Sequence, residues 1–131
     1  MIQTRGLSHA ALAVRDAERA FRFYERVFGM VAVYQEPGFV QAQTPGTWDV
    51  LVLEERPTRM WGTGGIAHLG FRLVNPADID AAIAAVEDAG GEILQRGEFV
   101  PGEPFLFCRD LDGYELEIWY ELPTPADPPS R

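Results

Sequence analysis

The sequence predicts an α+β fold made of two tandem βαβββ modules, and three observations carry that prediction. GLSHAALAV near the start returns in outline as GIAHLGFRL, each with a histidine three residues after its glycine. Each copy runs into one segment of helical periodicity that stops at glycine, and each helix is followed by three short β-rich runs. The matches Gly6 with Gly65, His9 with His68, Asp16 near Asn75 and Gly29 with Gly90 make a repeated unit the simplest account.

The first module, residues 1–56, opens with LSHAALAV as a strand. DAERAFRFYERVFG follows as a helix: Asp16 is the cap, Ala20, Phe21, Tyr24, Val27 and Phe28 form the apolar stripe, and Gly29 is the stop. MVAVYQE, FVQAQ and WDVLVLEE read as strands separated by the turn signals PG and TPG. RPTRMWGTGG leads through the linker, 57–65, whose Trp61 suits either a cavity mouth or a subunit contact. The second module, 66–122, repeats the order. IAHLGFRLV is the strand, and the helix has Asn75 as cap, Pro76 at its first position, Ile79, Ala82, Ile83 and Val86 as its stripe and Gly90-Gly91 as its end. EILQRG, FLFCR and YELEIWYEL complete it. The Pro-rich tail, 123–131, is expected to lack regular structure, and the modules together are expected to form one domain.

Composition removes several classes of function. A net charge of −9 and a pI near 4.6 oppose nucleic-acid binding, which rests on basic side chains displacing counterions. No apolar run is long enough for a membrane span and no export signal is visible, so a soluble, cytoplasmic protein is expected. The single Cys108, in the strand-like FLFCRD, reads as a small buried hydrophobe. All eleven basic residues are arginines, which removes lysine-based catalysis.

Strand parity then sorts the two histidines. In the first strand Ala10, Leu12 and Val14 share the face that suits helix packing, leaving His9, Ala11 and Ala13 on the other. In its counterpart Leu69, Phe71 and Leu73 take the apolar face, and His68, Gly70 and Arg72 the opposite one. The last strand puts Leu116, Ile118 and Tyr120 against the helices and Glu115, Glu117, Trp119 and Glu121 on the histidine side. A histidine in a strand is ordinarily a satisfied core or surface residue. Two, expected to be buried, at matching positions beside small residues, with a carboxylate entering the same cavity, suit a divalent transition metal with part of its coordination sphere left open.

With the doubled module and RDLDGYELEIWY added, the chain resembles the vicinal oxygen chelate superfamily over residues 5–121. That superfamily includes glyoxalases, extradiol dioxygenases, fosfomycin-resistance proteins and bleomycin-binding proteins. The most specific motif is D-x-D-G with a glutamate four residues after the glycine: Asp110, Asp112, Gly113 and Glu117. The resemblance implies curved sheets around a cavity, metal ligation by His9, His68 and Glu117, and a small substrate chelated through adjacent oxygens. It also implies a homodimer, with the three ligands drawn from one chain or from two. Iron(II) is the favoured ion, with manganese, zinc or nickel as alternatives.

Branches of the superfamily differ in what surrounds the ligands. Matching Gly46 with Gly113 puts Val50 opposite Glu117, where glyoxalases and epimerases carry a fourth ligand; Glu54 shares the strand face but lies four residues on. Ala11 replaces the threonine of fosfomycin-modifying enzymes. The His-His-Glu set is that of extradiol dioxygenases, although Phe107 stands where they carry tyrosine, Leu111 replaces the usual proline and no third histidine is present. The expectation is a metal-dependent enzyme with a dioxygenase-like ligand set. A redox-neutral lyase or isomerase and a metal-free drug-sequestering protein of the bleomycin-resistance type are the alternatives. Arg72 is a candidate for a substrate carboxylate, with an ion pair to Glu115 or Glu121 as the alternative. Glu115 and Glu54 are candidate bases. Trp48, Trp119, Phe105 and Phe107 line either a pocket or the core.

Overall fold

The two helices form where cap and stripe place them, and each carries a four-stranded sheet. In the computed structural model, which describes residues 3, 7–56 and 66–129, the first half comprises β1 (Ala10–Val14), α1 (Ala17–Phe28), β2 (Val31–Glu36), β3 (Phe39–Gln43) and β4 (Leu51–Glu55). The second comprises β5 (Leu69–Arg72), a 3₁₀ turn (Pro76–Asp78), α2 (Ile79–Asp88), β6 (Glu92–Glu98), β7 (Pro104–Arg109) and β8 (Glu115–Trp119). Asp16 caps α1 by accepting from the Arg19 N–H, and Gly29 ends it in the left-handed region at φ 67°. Asn75 accepts from the Ala77 N–H, but its cap opens the 3₁₀ turn, so the expected single helix becomes that turn followed by α2. The linker, with Trp61, lies outside the described residues.

Strand order repeats as well, β1-β4-β3-β2 and β5-β8-β7-β6, with the outer pairs β1/β4 and β5/β8 parallel and the remaining pairs antiparallel. The helix-side faces of both sheets meet in one apolar cluster that includes Leu12, Val14, Phe23, Leu53, Val86, Leu106 and Leu116. Helix α1 bridges the halves, with Phe28 stacked on Phe71 of β5 at 4.0 Å between ring centroids. Behind α2 the backbone comes so close that a Cβ on Gly91 would stand 2.7 Å from Val86 and 2.9 Å from both Phe23 and the Arg109 carbonyl, so only glycine fits there. No helix among the described residues is long and apolar enough to cross a membrane.

Two expectations are corrected by this packing. Because the shared core takes the helix-side faces, the histidine-bearing faces turn outward; His9 and His68 sit in the residue before β1 and β5 and are exposed rather than buried inside longer strands. The ladders also shift the repeat: Ala11 pairs with Val52, and its counterpart Gly70 pairs with Glu117. Val52, not Val50, therefore occupies the position of Glu117 in the first sheet, and Glu54 lies one same-face step beyond it.

Candidate metal centre

Side chains on the outer face of the second sheet are ordered by three adjacent strands. Alternation along β8 buries Leu116 and Ile118 in the core and sends Glu115, Glu117 and Trp119 outward. Gly70, beside Glu117 in the ladder, contributes no side chain, and His68 reaches across the space. Its Nε2 lies 2.9 Å from Oε2 of Glu117, and its ring meets Phe107 edge-on at 5.3 Å. Glu117 is only 8% exposed, and among the described residues His68 is its one side-chain partner. That one contact uses only part of the acceptor capacity of a carboxylate, which has two oxygens. A cavity of about 330 Å³ adjoins this pair, lined by His68, Leu94, Gln95, Phe107 and Glu115.

The third expected ligand stands elsewhere. His9 is exposed on the outer face of the first sheet, with Nδ1 2.7 Å from the Ser8 hydroxyl. The sheets pack back to back through their helices, so one chain brings His68 and Glu117 together and leaves His9 apart. Among the described residues no group of three His, Cys, Asp or Glu side chains gathers as a metal site. On the His9 face Glu54 pairs with Arg56 at 2.7 Å.

The D-x-D-G turn that delivers Glu117 is fastened to the first half. Asp110 accepts from the Asp112 and Tyr114 N–H groups at 2.9 Å through one oxygen and from the Tyr24 hydroxyl at 2.6 Å through the other. Asp112 accepts from the Arg15 N–H at 3.0 Å and its guanidinium at 3.3 Å, while Tyr114 donates to the Ala13 carbonyl at 2.7 Å. Burial raises the Asp110 carboxyl above the usual range against the pull of these donors, and burial, with Asp110 beside it, pushes the Tyr24 phenol well up. The Cys108 thiol is driven by burial to about 12, which makes it the inert hydrophobe expected.

Arg72 does lie on the Glu117 face, and its ion pair is with Glu121, at 3.4 Å, not Glu115. It also holds Asp127, a partner not anticipated from the sequence because that residue belongs to the Pro-rich tail. The aromatics divide: Trp48 is 72% exposed, whereas Phe105 is buried beneath Phe99, with ring centroids 4.0 Å apart. Phe99 was not anticipated either. It sits in the loop after β6, where no periodicity marks it.

Paired βαβββ sheets, with an imidazole before the first strand of one module beside a carboxylate on its last, define an α+β class of protein built from two repeated modules. The chain belongs to the Glyoxalase/Bleomycin resistance protein/Dioxygenase superfamily, whose family model matches residues 6–118. A glyoxalase-related enzyme from Fulvimarina pelagi shares the fold with a TM-score of 0.76 at 22% identity, each chain covered to 95%. The fosfomycin resistance protein FosX from Mesorhizobium loti superposes with a TM-score of 0.70 at 22% identity, covering 92% of this chain and 95% of that one. Lactoylglutathione lyase from Agrobacterium tumefaciens gives 0.69 at 21% identity, covering 89% and 94%. At these identities the likeness establishes the fold. The cadmium-induced protein CadI of Mycobacterium tuberculosis is 36% identical over 81 residues, 61% of this chain, and the match spans about half, 51%, of that protein.

Proposed function

We propose that this chain is a divalent-metal-dependent enzyme acting on a small, oxygen-bearing chelating substrate, with the ion held by His68 and Glu117 of one chain and His9 of a second copy. The observation that carries this reading is the 2.9 Å approach of His68, before the first strand of the second module, to the buried Glu117 carboxylate on its last strand. Two neutral imidazoles and a carboxylate suit iron(II) and also admit manganese, zinc or nickel. A bound ion of this kind would polarise adjacent substrate oxygens. Pairing across two copies follows from the outward faces: a single chain directs His9 and His68 to opposite sides of its shared core, and a two-fold assembly can set one face against the other.

The chain's own residues supply the remainder of the site. His68 Nε2 and Glu117 Oε2, 2.9 Å apart, are the two groups of this chain that would hold the ion between them. Phe107 offers an apolar wall, and Glu115, in the cavity beside His68, is the group placed to accept a substrate proton. Glu54, already paired with Arg56, is the weaker base candidate.

Metal content measured by elemental analysis tests the reading. His9→Ala, His68→Ala and Glu117→Ala should each lose stoichiometric metal. Unfolding and refolding His9→Ala together with His68→Ala should restore about one quarter of wild-type occupancy, since half of the dimers are mixed and each has one intact composite site. Loss in the single variants without restoration places all three ligands in one chain; full metal in all three variants overturns the metal site and favours a metal-free binding protein.

A further inference from the structure

Between His68 and the C-terminal tail, the outer face of the second sheet forms a lane made by two neighbouring strands. On β5 the same-face positions run His68, Gly70, Arg72; on β8, Glu117 pairs with Gly70 and Trp119 with Arg72. A Cβ on Gly70 would stand 3.8 Å from the Trp119 Nε1, so the indole N–H overhangs the gap that the glycine leaves. Among the described residues that N–H has no hydrogen-bond partner, although the indole is only half exposed. An unused donor and a guanidinium thus border the same lane, next to the His68–Glu117 pair.

The guanidinium is held by two carboxylates from its own chain, Glu121 on Nε at 3.4 Å and Asp127 on the terminal nitrogens. Arg72 Nη1 and Nη2 approach Oδ1 of Asp127 at 3.3 and 3.4 Å, and Nη2 approaches Oδ2 at 3.2 Å. Asp127 is presented by a turn: Thr124 donates to it through its N–H at 2.9 Å and its hydroxyl at 3.1 Å, and the Asp127 N–H returns a bond to the Thr124 carbonyl at 3.2 Å. Neither helix nor strand forms from residue 120 to residue 129. Among the described residues this stretch is also tied by the Leu122 N–H to Glu103 at 3.2 Å and by Glu121 to Arg72 at 3.4 Å. Arg72, Asp127 and Glu121 keep 44%, 30% and 32% of their side-chain surfaces exposed, so water and an incoming ligand reach the pair. Exposed ion pairs exchange readily for an equivalent partner.

We propose that Arg72, with the Trp119 indole N–H, is an anion subsite for a substrate carboxylate, and that Asp127 of the C-terminal turn occupies it in the free chain as an internal competitor. The two-oxygen contact on Arg72 is the one an external carboxylate would make. Arg109, also on this face, lies beside Glu115, four residues along β8 from Trp119, and faces Glu92 at 3.3 Å, so Arg72 is the arginine beside the indole. A ligand held there by its carboxylate extends past Trp119 toward His68 and Glu117. The subsite takes its meaning from the metal reading above, but its test needs no metal.

Benzoate and its neutral isostere benzamide are titrated into chelator-treated protein, followed through the Trp119 indole N–H resonance. If the tail holds Arg72 about four-fifths of the time, Asp127→Asn tightens benzoate about fivefold, since apparent affinity scales with the fraction of open sites. Benzamide binding should not change, nor should benzoate binding in Glu87→Gln, a control that removes a charge on α2. Adding Arg72→Gln to Asp127→Asn should abolish the gain, while Arg72→Lys should keep part of it; the thermal midpoint of each variant checks that it is folded. Equal benzoate affinity in wild type and Asp127→Asn overturns the internal competitor, and a gain that survives Arg72→Gln overturns the subsite. Because no metal is present, either failure is distinct from failure of the His68–Glu117 site, which metal content reads.

Discussion

The outer faces of the two sheets have the same strand order and opposite equipment. On the second, His68 leans onto a buried Glu117, with Phe107 and a cavity beside it. On the first, His9 has a neighbouring serine, and the residue equivalent to Glu117 is Val52, 7% exposed. Repetition therefore preserved the hydrogen-bond ladders and the apolar helix side, which the core enforces. The outward positions, free of that packing, diverged into one face that carries the His68–Glu117 pair and one that carries a single histidine.

That comparison can be broken most severely at the proposed ligand pair. His68→Ala or Glu117→Ala should lower metal occupancy from near stoichiometric to below about a tenth, as expected when one of three ligands is removed. The next largest effect is expected from giving the first face what it lacks. Val52→Glu buries a carboxylate at the position equivalent to Glu117, where the corresponding histidine, His9, is exposed and bonded to Ser8, and should cost about 2–4 kcal/mol in urea unfolding. A neutral result there would mean that the His9 face accommodates charge as readily as its counterpart.

Tyr24→Phe removes the hydroxyl that ties α1 to the turn preceding Glu117 and should cost about 1–3 kcal/mol. Asp110 adds a pH dependence with a defined sign. Its carboxyl is raised in the folded protein, so its contribution is full below the unfolded value of about 4 and is lost as pH rises through the folded value. The stability of wild type relative to Asp110→Asn should therefore fall as pH is raised from about 4, and a rise would reverse the assigned direction. The smallest effect is reserved for His9→Ala: exposed and, among the described residues, tied only to Ser8, it should leave stability within about 0.5 kcal/mol while removing metal.

Much of this was legible in the chain because local rules and packing agreed. Asp16 and Gly29 bounded α1 by capping chemistry, and alternation along Glu115–Trp119 told which side chains faced outward. The DLDG turn was also visible, but not its clasp on Tyr24, since a hydrogen bond between residues 86 positions apart leaves no local pattern. Asp127 was hidden for the same reason: a carboxylate in a Pro-rich tail gives no sign of which arginine it will meet. The expected histidine burial failed because parity tells which face a residue takes, not which face the core will claim.

The sequence by itself determined the repeat, the elements, the paired histidines and the family resemblance, since these depend on spacing, caps and side-chain type within short stretches. Tertiary structure alone decided that the helix sides of both sheets would share one core, turning the histidines outward and apart. It also decided that Val52 would stand where the second half has Glu117, and that the tail would close on Arg72. The physical reason is that burial of apolar surface is non-directional: it requires that Leu12, Phe23, Leu106 and Leu116 be covered, but which element covers them is fixed only when the whole chain is packed.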